Sequence, residues 1–194
     1  MSVRMAKEED IAQILEIYGP YILNTAVSFE YTVPSLEAFT QRYRAITDQF
    51  PWLVWEEQEQ ILGYAYGSAP FERAAFQWCA EASIYLRPEA QGQGIGKALY
   101  RELESLLRQQ GYLKVYAIIT SENQNSVEFH KAVGYTHVAD MPGCGFKLGR
   151  WHGIIWMEKL LTPVDLPSVP PVSIESIVKN NGNSFQVLDK MPLS

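Results

Sequence analysis

The residues with the clearest chemical potential form a short run, Gln91-Gly92-Gln93-Gly94-Ile95-Gly96-Lys97, with glycine at every second position. It follows the β-rich stretch "EASIYLRP" and leads into an apolar pattern at helical spacing, so it reads as a turn between a strand end and a helix start. With no side chains in the way, successive backbone N–H groups there can converge on an anion, and the helix dipole reinforces them. A pyrophosphate suits such a nest. Spacing excludes two nucleotide motifs. Gly96 and Lys97 would be the Gly-Lys pair of a P-loop, but Gln91 and Ala98 stand where that loop needs Gly and Ser or Thr. A dinucleotide fingerprint begun at Gly92 and Gly94 needs its third glycine where Lys97 stands. What remains is Q-x-x-G-x-G, as Gln91, Gly94 and Gly96. On the residues alone, a plain glycine-rich turn stays open as the alternative. The two cysteines, Cys79 and Cys144, lack the spacing of a zinc site or a disulfide framework and are read as structural or incidental.

Elements on either side must position this turn. Ile11, Ile14, Leu15 and Tyr18 mark a first helix, with acidic Glu8, Glu9 and Asp10 ahead of it. Leu36, Phe39, Tyr43 and Ile46 mark a second, with Ser35 as its N-cap. "NTAVSFEYTVP" between them reads as extended or looped. "WLVWEEQEQILGYAYGSA" predicts a hairpin turning near Glu57 to Gln60, and "QWCAEASIYLRP" a third strand. After the glycine turn, Ile95, Leu99, Leu103, Leu106 and Leu107 make an apolar helix face ended by Gly111. "YLKVYAIIT" is a strand, "NQNSVEFHKAVGY" a short helix closed by Gly134, and "YTHVADM" and "WHGIIWMEKL" are final strands. Strand, crossover helix, strand implies an α/β or mixed α+β sheet with some parallel pairing.

The chain of 194 residues is 47% hydrophobic and carries a net charge of -6, which fits one domain with a substantial core and argues against nucleic acid as partner. No apolar run reaches the roughly 20 residues of a membrane span, and the N-terminus lacks a signal-peptide core. A cytoplasmic protein without membrane association is expected. Residues 1–161 read as the domain. Residues 162–194, with a proline-rich stretch, read as a tail outside the core, in which "SFQVLD" could add a short strand.

The motifs "VSFEYTVPS", "GYAYGSA", "RAAFQW", "AEASIYL", "QGQGIGKALY", "NQNSVEFHKAVGY" and "GFKLGRWH" occur in an order that resembles the GCN5-related N-acetyltransferases (GNAT superfamily), closest to its phosphinothricin and methionine sulfoximine acetyltransferase branch. The resemblance covers about residues 3 to 160. It implies a central twisted mixed sheet flanked by helices, with acetyl-CoA bound where two parallel strands splay, and a homodimer. It places the backbone of Ile84, Tyr85 and Leu86 against the pantetheine and the amides of Gln91 through Lys97 (Gln91, Gly92, Gln93, Gly94, Ile95, Gly96, Lys97) on the pyrophosphate. Asn125 and Ser126 fall near the pantetheine arm, though Asn125 reads equally well as a helix N-cap.

Acyl transfer from a thioester to an amine needs a proton acceptor for the amine, alignment, and a proton for the departing thiolate. The resemblance implies Glu81 in "WCAEASIY" as general base and His130 as possible general acid; a packed, satisfied helix histidine is the alternative. Glu81 lies an odd number of residues from Ile84, so a bulge between them would decide which face it shares with the cofactor. Arg73 matches the second of two arginines that hold an acceptor carboxylate, and Phe71 replaces the first. Phe29, Glu30 and Tyr31 match a wall of the acceptor pocket, and "GFKLGRWHG" a covering loop, in which His152 is a weaker candidate and Lys147 and Arg150 read as exposed charge. Trp78 is expected to pack. The implied activity is an acetyl-CoA-dependent N-acetyltransferase for a small amino-acid-like amine, without a metal. A protein or peptide N-acetyltransferase and a non-catalytic acyl-CoA-binding regulatory module are the alternatives.

Overall fold

The structure, a computed structural model, describes residues 2–163 and 169–180. Among these residues, seven strands form one sheet in the order β1-β2-β3-β4-β5-β7-β6. They are β1 (Ser2–Met5), β2 (Trp52–Glu57), β3 (Gln60–Ser68), β4 (Cys79–Leu86), β5 (Lys114–Thr120), β6 (Thr136–Lys147) and β7 (Arg150–Leu160). The β4–β5 pair is parallel and the other pairs are antiparallel, giving the mixed sheet that the sequence implies.

Two-residue alternation sends strand side chains to opposite faces, and each face has its own core. On one side, α1 (Ile11–Asn24) and α2 (Leu36–Thr47) bury Ile11, Ile14, Ile22 and Phe39 against Trp52, Val54 and Tyr64. On the other, α3 (Ile95–Gln110) buries Leu99, Leu103, Leu106 and Leu107 against Leu53, Ala65, Ala80 and Val115. Ser35 caps α2 by accepting from the Ala38 amide at 3.1 Å. Gly111, at φ 98, ends α3 in the left-handed region that a side chain disfavours. The β2–β3 turn falls on Gln58 and Glu59, within the expected span.

Two expectations are corrected. The segment "GFKLGRWHG" is a hairpin and not a loop: β6 continues to Lys147 and turns through Leu148 and Gly149 directly into β7. The tail beyond 161 does not stand clear of the core where it is described. Helix α5 (Ile174–Asn180) buries Ile174 and Ile177 in the α3-side core, Gln110 Nε2 donates to the Val172 carbonyl at 2.9 Å, and the Ile174 amide donates to Gln49. The Trp78 indole N–H also reaches this segment, donating to the Val169 carbonyl at 3.0 Å. "SFQVLD" lies outside the described residues.

Candidate active site

The parallel β4–β5 ladder is short. It pairs Cys79, Ala80 and Glu81 with Lys114, Val115 and Tyr116 and then stops, although β4 continues to Leu86 and β5 to Thr120. The strands therefore part just past Glu81. Register with β3 runs unbroken from Ser68–Glu81 to Gly63–Leu86, so no bulge intervenes. The Arg87 amide donates to Leu62, which by alternation turns the main chain of Tyr85 toward β3 and that of Ala82, Ile84 and Leu86 into the gap. An extended polyamide laid in that gap meets a strand edge that no neighbouring strand pairs among the described residues. Of the three residues expected to offer backbone there, Ile84 and Leu86 face the gap and Tyr85 does not. The Tyr21 hydroxyl, reaching over from α1, donates to the Leu86 carbonyl at 2.6 Å.

Unbroken register also fixes Glu81's face. Its side chain shares the α1 side with Ser83 and Tyr85, opposite Ile84 and Leu86. Burial pushes its carboxyl up from the ordinary carboxylate value, and it has no hydrogen-bond or ion-pair partner among the described residues. A half-buried carboxylate without a partner is poised to take a proton.

At the far end of the gap, Gly92 (φ 74) and Gly94 (φ 81) adopt the left-handed conformation. None of the amides from Gly92 to Lys97 donates to a protein acceptor among the described residues, and the first such bond into α3 is Ala98 to Gly94. Beside this open row of donors, a Cβ on Gly96 would lie 3.2 Å from Phe129 and 3.4 Å from Ile84, so α3 approaches β4 and α4 (Gln124–Ala132) as closely as a bare backbone allows. Gln91 and Gln93 are exposed, while Ile95 is buried and anchors the turn. A cavity of about 270 Å³ beyond the turn is lined by Lys97, Tyr100, Arg101, Glu104 and Arg108. Arg101 was not singled out from sequence, though it sits one helical turn from Lys97.

On α4, the cap is Asn123, whose side chain accepts from the Ser126 amide at 3.3 Å. Asn125, expected as cap or pantetheine contact, is inside the helix and exposed. His130 is buried. Its Nδ1 lies 2.7 Å from the Ser126 carbonyl, so Nδ1 carries the proton and Nε2 accepts from the Tyr100 hydroxyl at 2.9 Å. The Ser126 hydroxyl adds a 3.3 Å contact to Nδ1, and the Tyr100 hydroxyl one of 3.3 Å to the gap-facing Ala82 carbonyl. Burial drives the His130 pKa down from 6.5 to about 4, overriding the upward pull of the Ser126 carbonyl. His130 is thus neutral at pH 7, with both nitrogens engaged. This is the geometry of a packed, satisfied histidine, the alternative to the general acid.

Above Glu81's face, the 25–31 segment and the β6–β7 hairpin close together. Thr120 Oγ1 donates to the Ala26 carbonyl, Tyr31 to the Phe146 carbonyl, and the Phe29 ring packs against Gly145 so tightly that a Cβ there would come within 2.5 Å of it. Lys147, read as exposed, is buried and donates to the Ser28 carbonyl. Burial pushes its amine down, with Glu30 pulling the other way. His152 is buried as well, its Nδ1 3.0 Å from Glu122 and its Nε2 2.9 Å from the Lys147 carbonyl, which ties the hairpin to the turn after β5. Arg150 remains exposed. Arg73 is exposed and has no partner among the described residues.

Comparison with known proteins decides the family. A model of the acetyltransferase (GNAT) domain matches residues 3–156. The chain belongs to the GNAT family. Among curated GNAT relatives, it is similar to the phosphinothricin N-acetyltransferase of Streptomyces viridochromogenes, 30% identical over 174 residues that cover 89% of this chain and 95% of that protein. It is also similar to the L-methionine sulfoximine/L-methionine sulfone acetyltransferase of Salmonella typhimurium, at 33% identity over 81% of this chain and 93% of that one. Its fold is similar to that of a GNAT phosphinothricin acetyltransferase from Sinorhizobium meliloti solved in complex with AcCoA, with TM-score 0.82 and 36% identity over 87% of this chain and 92% of that one.

GNAT enzymes take acetyl-CoA as co-substrate, and the residues present fit it: a β4 edge without a strand partner for an amide-bearing arm, then a row of backbone donors, Gly92 to Lys97, without acceptors among the described residues, for the pyrophosphate. Among the described residues, no group of three or more His, Cys, Asp and Glu side chains is placed to hold a metal ion. No helix among them is long and apolar enough to cross a membrane.

Proposed function

We propose that this GNAT enzyme acetylates the amine of a small α-amino-acid-like acceptor, the class to which phosphinothricin and methionine sulfoximine belong, by direct attack on the thioester. The observation that carries this reading is the parting of β4 and β5 immediately beyond a partnerless, half-buried Glu81. Acetyl-CoA supplies a thioester as the acyl donor. The chain supplies position and one proton acceptor. The gap-facing main chain of Ile84 and Leu86 aligns the pantetheine arm, and the amides of Gly92 to Lys97 hold the pyrophosphate. Glu81, on the opposite face, collects the proton of the attacking amine, which at a pKa of about 8 to 10 is mostly charged at neutral pH. The departing thiolate, with a conjugate acid near pKa 8.5, leaves without a dedicated acid. His130 braces the Tyr100 hydroxyl instead. Arg73 meets the acceptor carboxylate, and Phe29 walls the pocket. Release of free thiol from acetyl-CoA over a panel of amino acids, peptides and proteins tests this. Turnover of peptides or proteins alone would move the enzyme to the peptide class, and binding without turnover of any amine to the regulatory class.

The reduced role of His130 has its own test. Its folded pKa of about 4 lies below the unfolded 6.5, so between those values the unfolded chain binds more protons and stability falls as pH drops. The loss spans that window and amounts to roughly 3 kcal/mol. His130→Gln is expected to flatten this slope in urea titrations from pH 7 to 4 while leaving the pH profile of kcat unchanged. A changed kcat profile with an unchanged stability slope would restore the acid role.

We further propose a homodimer, supported by the apolar Phe146, Leu148 and Trp151, 47%, 58% and 65% exposed around the β6–β7 turn. Sedimentation should give twice the chain mass, and Trp151→Glu should give the monomer; a monomeric parent chain contradicts it.

A further inference from the structure

Beside Glu81 lies an aromatic cluster to which the transfer chemistry gives no task. Phe71 stacks on Trp156 with centroids 5.7 Å apart and planes at 16°, meets Phe76 at 4.6 Å and meets Tyr116 edge-on at 6.0 Å. Tyr116 meets Trp156 at 5.7 Å. Tyr116 is also the ladder partner of Glu81, so the cluster begins on the strand next to the base and shares its face. Trp156 joins that face across β7, opposite Ile118.

Phe71 and Phe76 remain 37% and 43% exposed, which leaves two large rings in water beside a partnerless carboxylate. Exposed apolar surface at a polar focus marks a ligand site more often than a bare surface. The charges around it are uneven. Arg73, between these two phenylalanines in sequence, is exposed and has no partner among the described residues. Among the described residues, Lys114 is engaged with Glu158 at 2.7 Å, Arg42 with Glu30 at 2.6 Å, and Lys147 with the Ser28 carbonyl, while Arg150 stands at the far β6–β7 turn, 3.9 Å from Glu122. Arg73 can serve the acceptor's α-carboxylate.

We propose that Phe71, Phe76, Tyr116 and Trp156 form the subsite for the acceptor's side chain, and that the preferred acceptors are α-amino acids with neutral aromatic side chains. This rests on the acetyltransferase reading and narrows it. Flat rings pack favourably on aromatic faces. A second anionic group, such as a phosphinate or side-chain carboxylate, would lose its hydration against the negative faces of those rings without gaining a cation. Phosphinothricin is therefore a poor acceptor, and methionine sulfoximine, neutral at its side chain, a better one.

The test measures kcat/KM by thiol release for phenylalanine, tryptophan, methionine sulfoximine, glutamate and phosphinothricin, at saturating acetyl-CoA. The neutral acceptors are expected to exceed the two anionic ones by at least roughly tenfold. Phe71→Leu keeps that order, and Phe71→Arg reverses it, with thermal midpoints checking that both variants fold. A parent enzyme that favours phosphinothricin or glutamate, or a Phe71→Arg variant with the parent's order, overturns the subsite and leaves acetyl transfer standing. Calorimetry with acetyl-CoA separates the other failure: no binding, or binding without turnover of any acceptor, overturns the acetyltransferase reading and the subsite with it.

Discussion

Replacing Glu81 with glutamine is expected to lower kcat by at least ~10²-fold, the scale of a lost general base. The amide keeps the shape and loses the proton acceptor, so binding of both substrates should change little. The pH dependence discriminates further. A base works ionised, and burial raises the Glu81 carboxyl above its usual value of 4.5, so the acidic limb of kcat/KM should lie above that value and vanish in the variant. Stability should move the opposite way. A carboxyl with a raised folded pKa holds its proton more tightly in the native state, so its contribution to stability is present at low pH and is lost as pH rises through the folded pKa. At neutral pH the parent bears the cost of a desolvated charge, and Glu81→Gln should be more stable than the parent there. Unaltered pH–rate behaviour in the variant would exclude Glu81 as the base.

What the sequence made legible depends on how local each feature is. The glycines at 92 and 94 could be read in advance because a left-handed backbone is a local demand that glycine meets. The α3 stripe was equally readable, being a period within one helix. The partners of His130 were not: its Nε2 is occupied by Tyr100, thirty residues earlier on another helix, and no spacing rule reports that contact. Lys147 looked exposed for the same reason, since the Ser28 carbonyl that receives it lies 119 residues away. Helix α5 carries a local signal that its surroundings mask. Ile174, Ile177 and Val178 stand at helical spacing, but the prolines just before them give the whole segment the composition of a tail. For Glu81 the open issue was parity, which only pairing with β3 could decide.

The second large effect concerns the glycine turn. Holding a non-glycine residue left-handed costs about 1–2 kcal/mol, so alanine at both positions 92 and 94 opposes the native turn by roughly 2–4 kcal/mol. Where that cost falls depends on what else fixes the turn. A Cβ on Gly92 meets nothing within 4 Å, and the amides of Gly92 to Lys97 have no protein acceptors among the described residues, so little besides the ligand would hold the strained conformation. The backbone is then free to relax, and the amides no longer converge on one anion. The cost appears in cofactor binding more than in folding. With each 1.4 kcal/mol worth tenfold, the Gly92→Ala/Gly94→Ala enzyme should bind acetyl-CoA on the order of 10²-fold more weakly by calorimetry. KM for acetyl-CoA should rise in step, and kcat at saturation should fall only a few-fold, because Glu81 lies at the other end of the gap. A thermal midpoint lowered without a change in acetyl-CoA affinity would show that the glycines serve the fold alone, and that the pyrophosphate is held elsewhere.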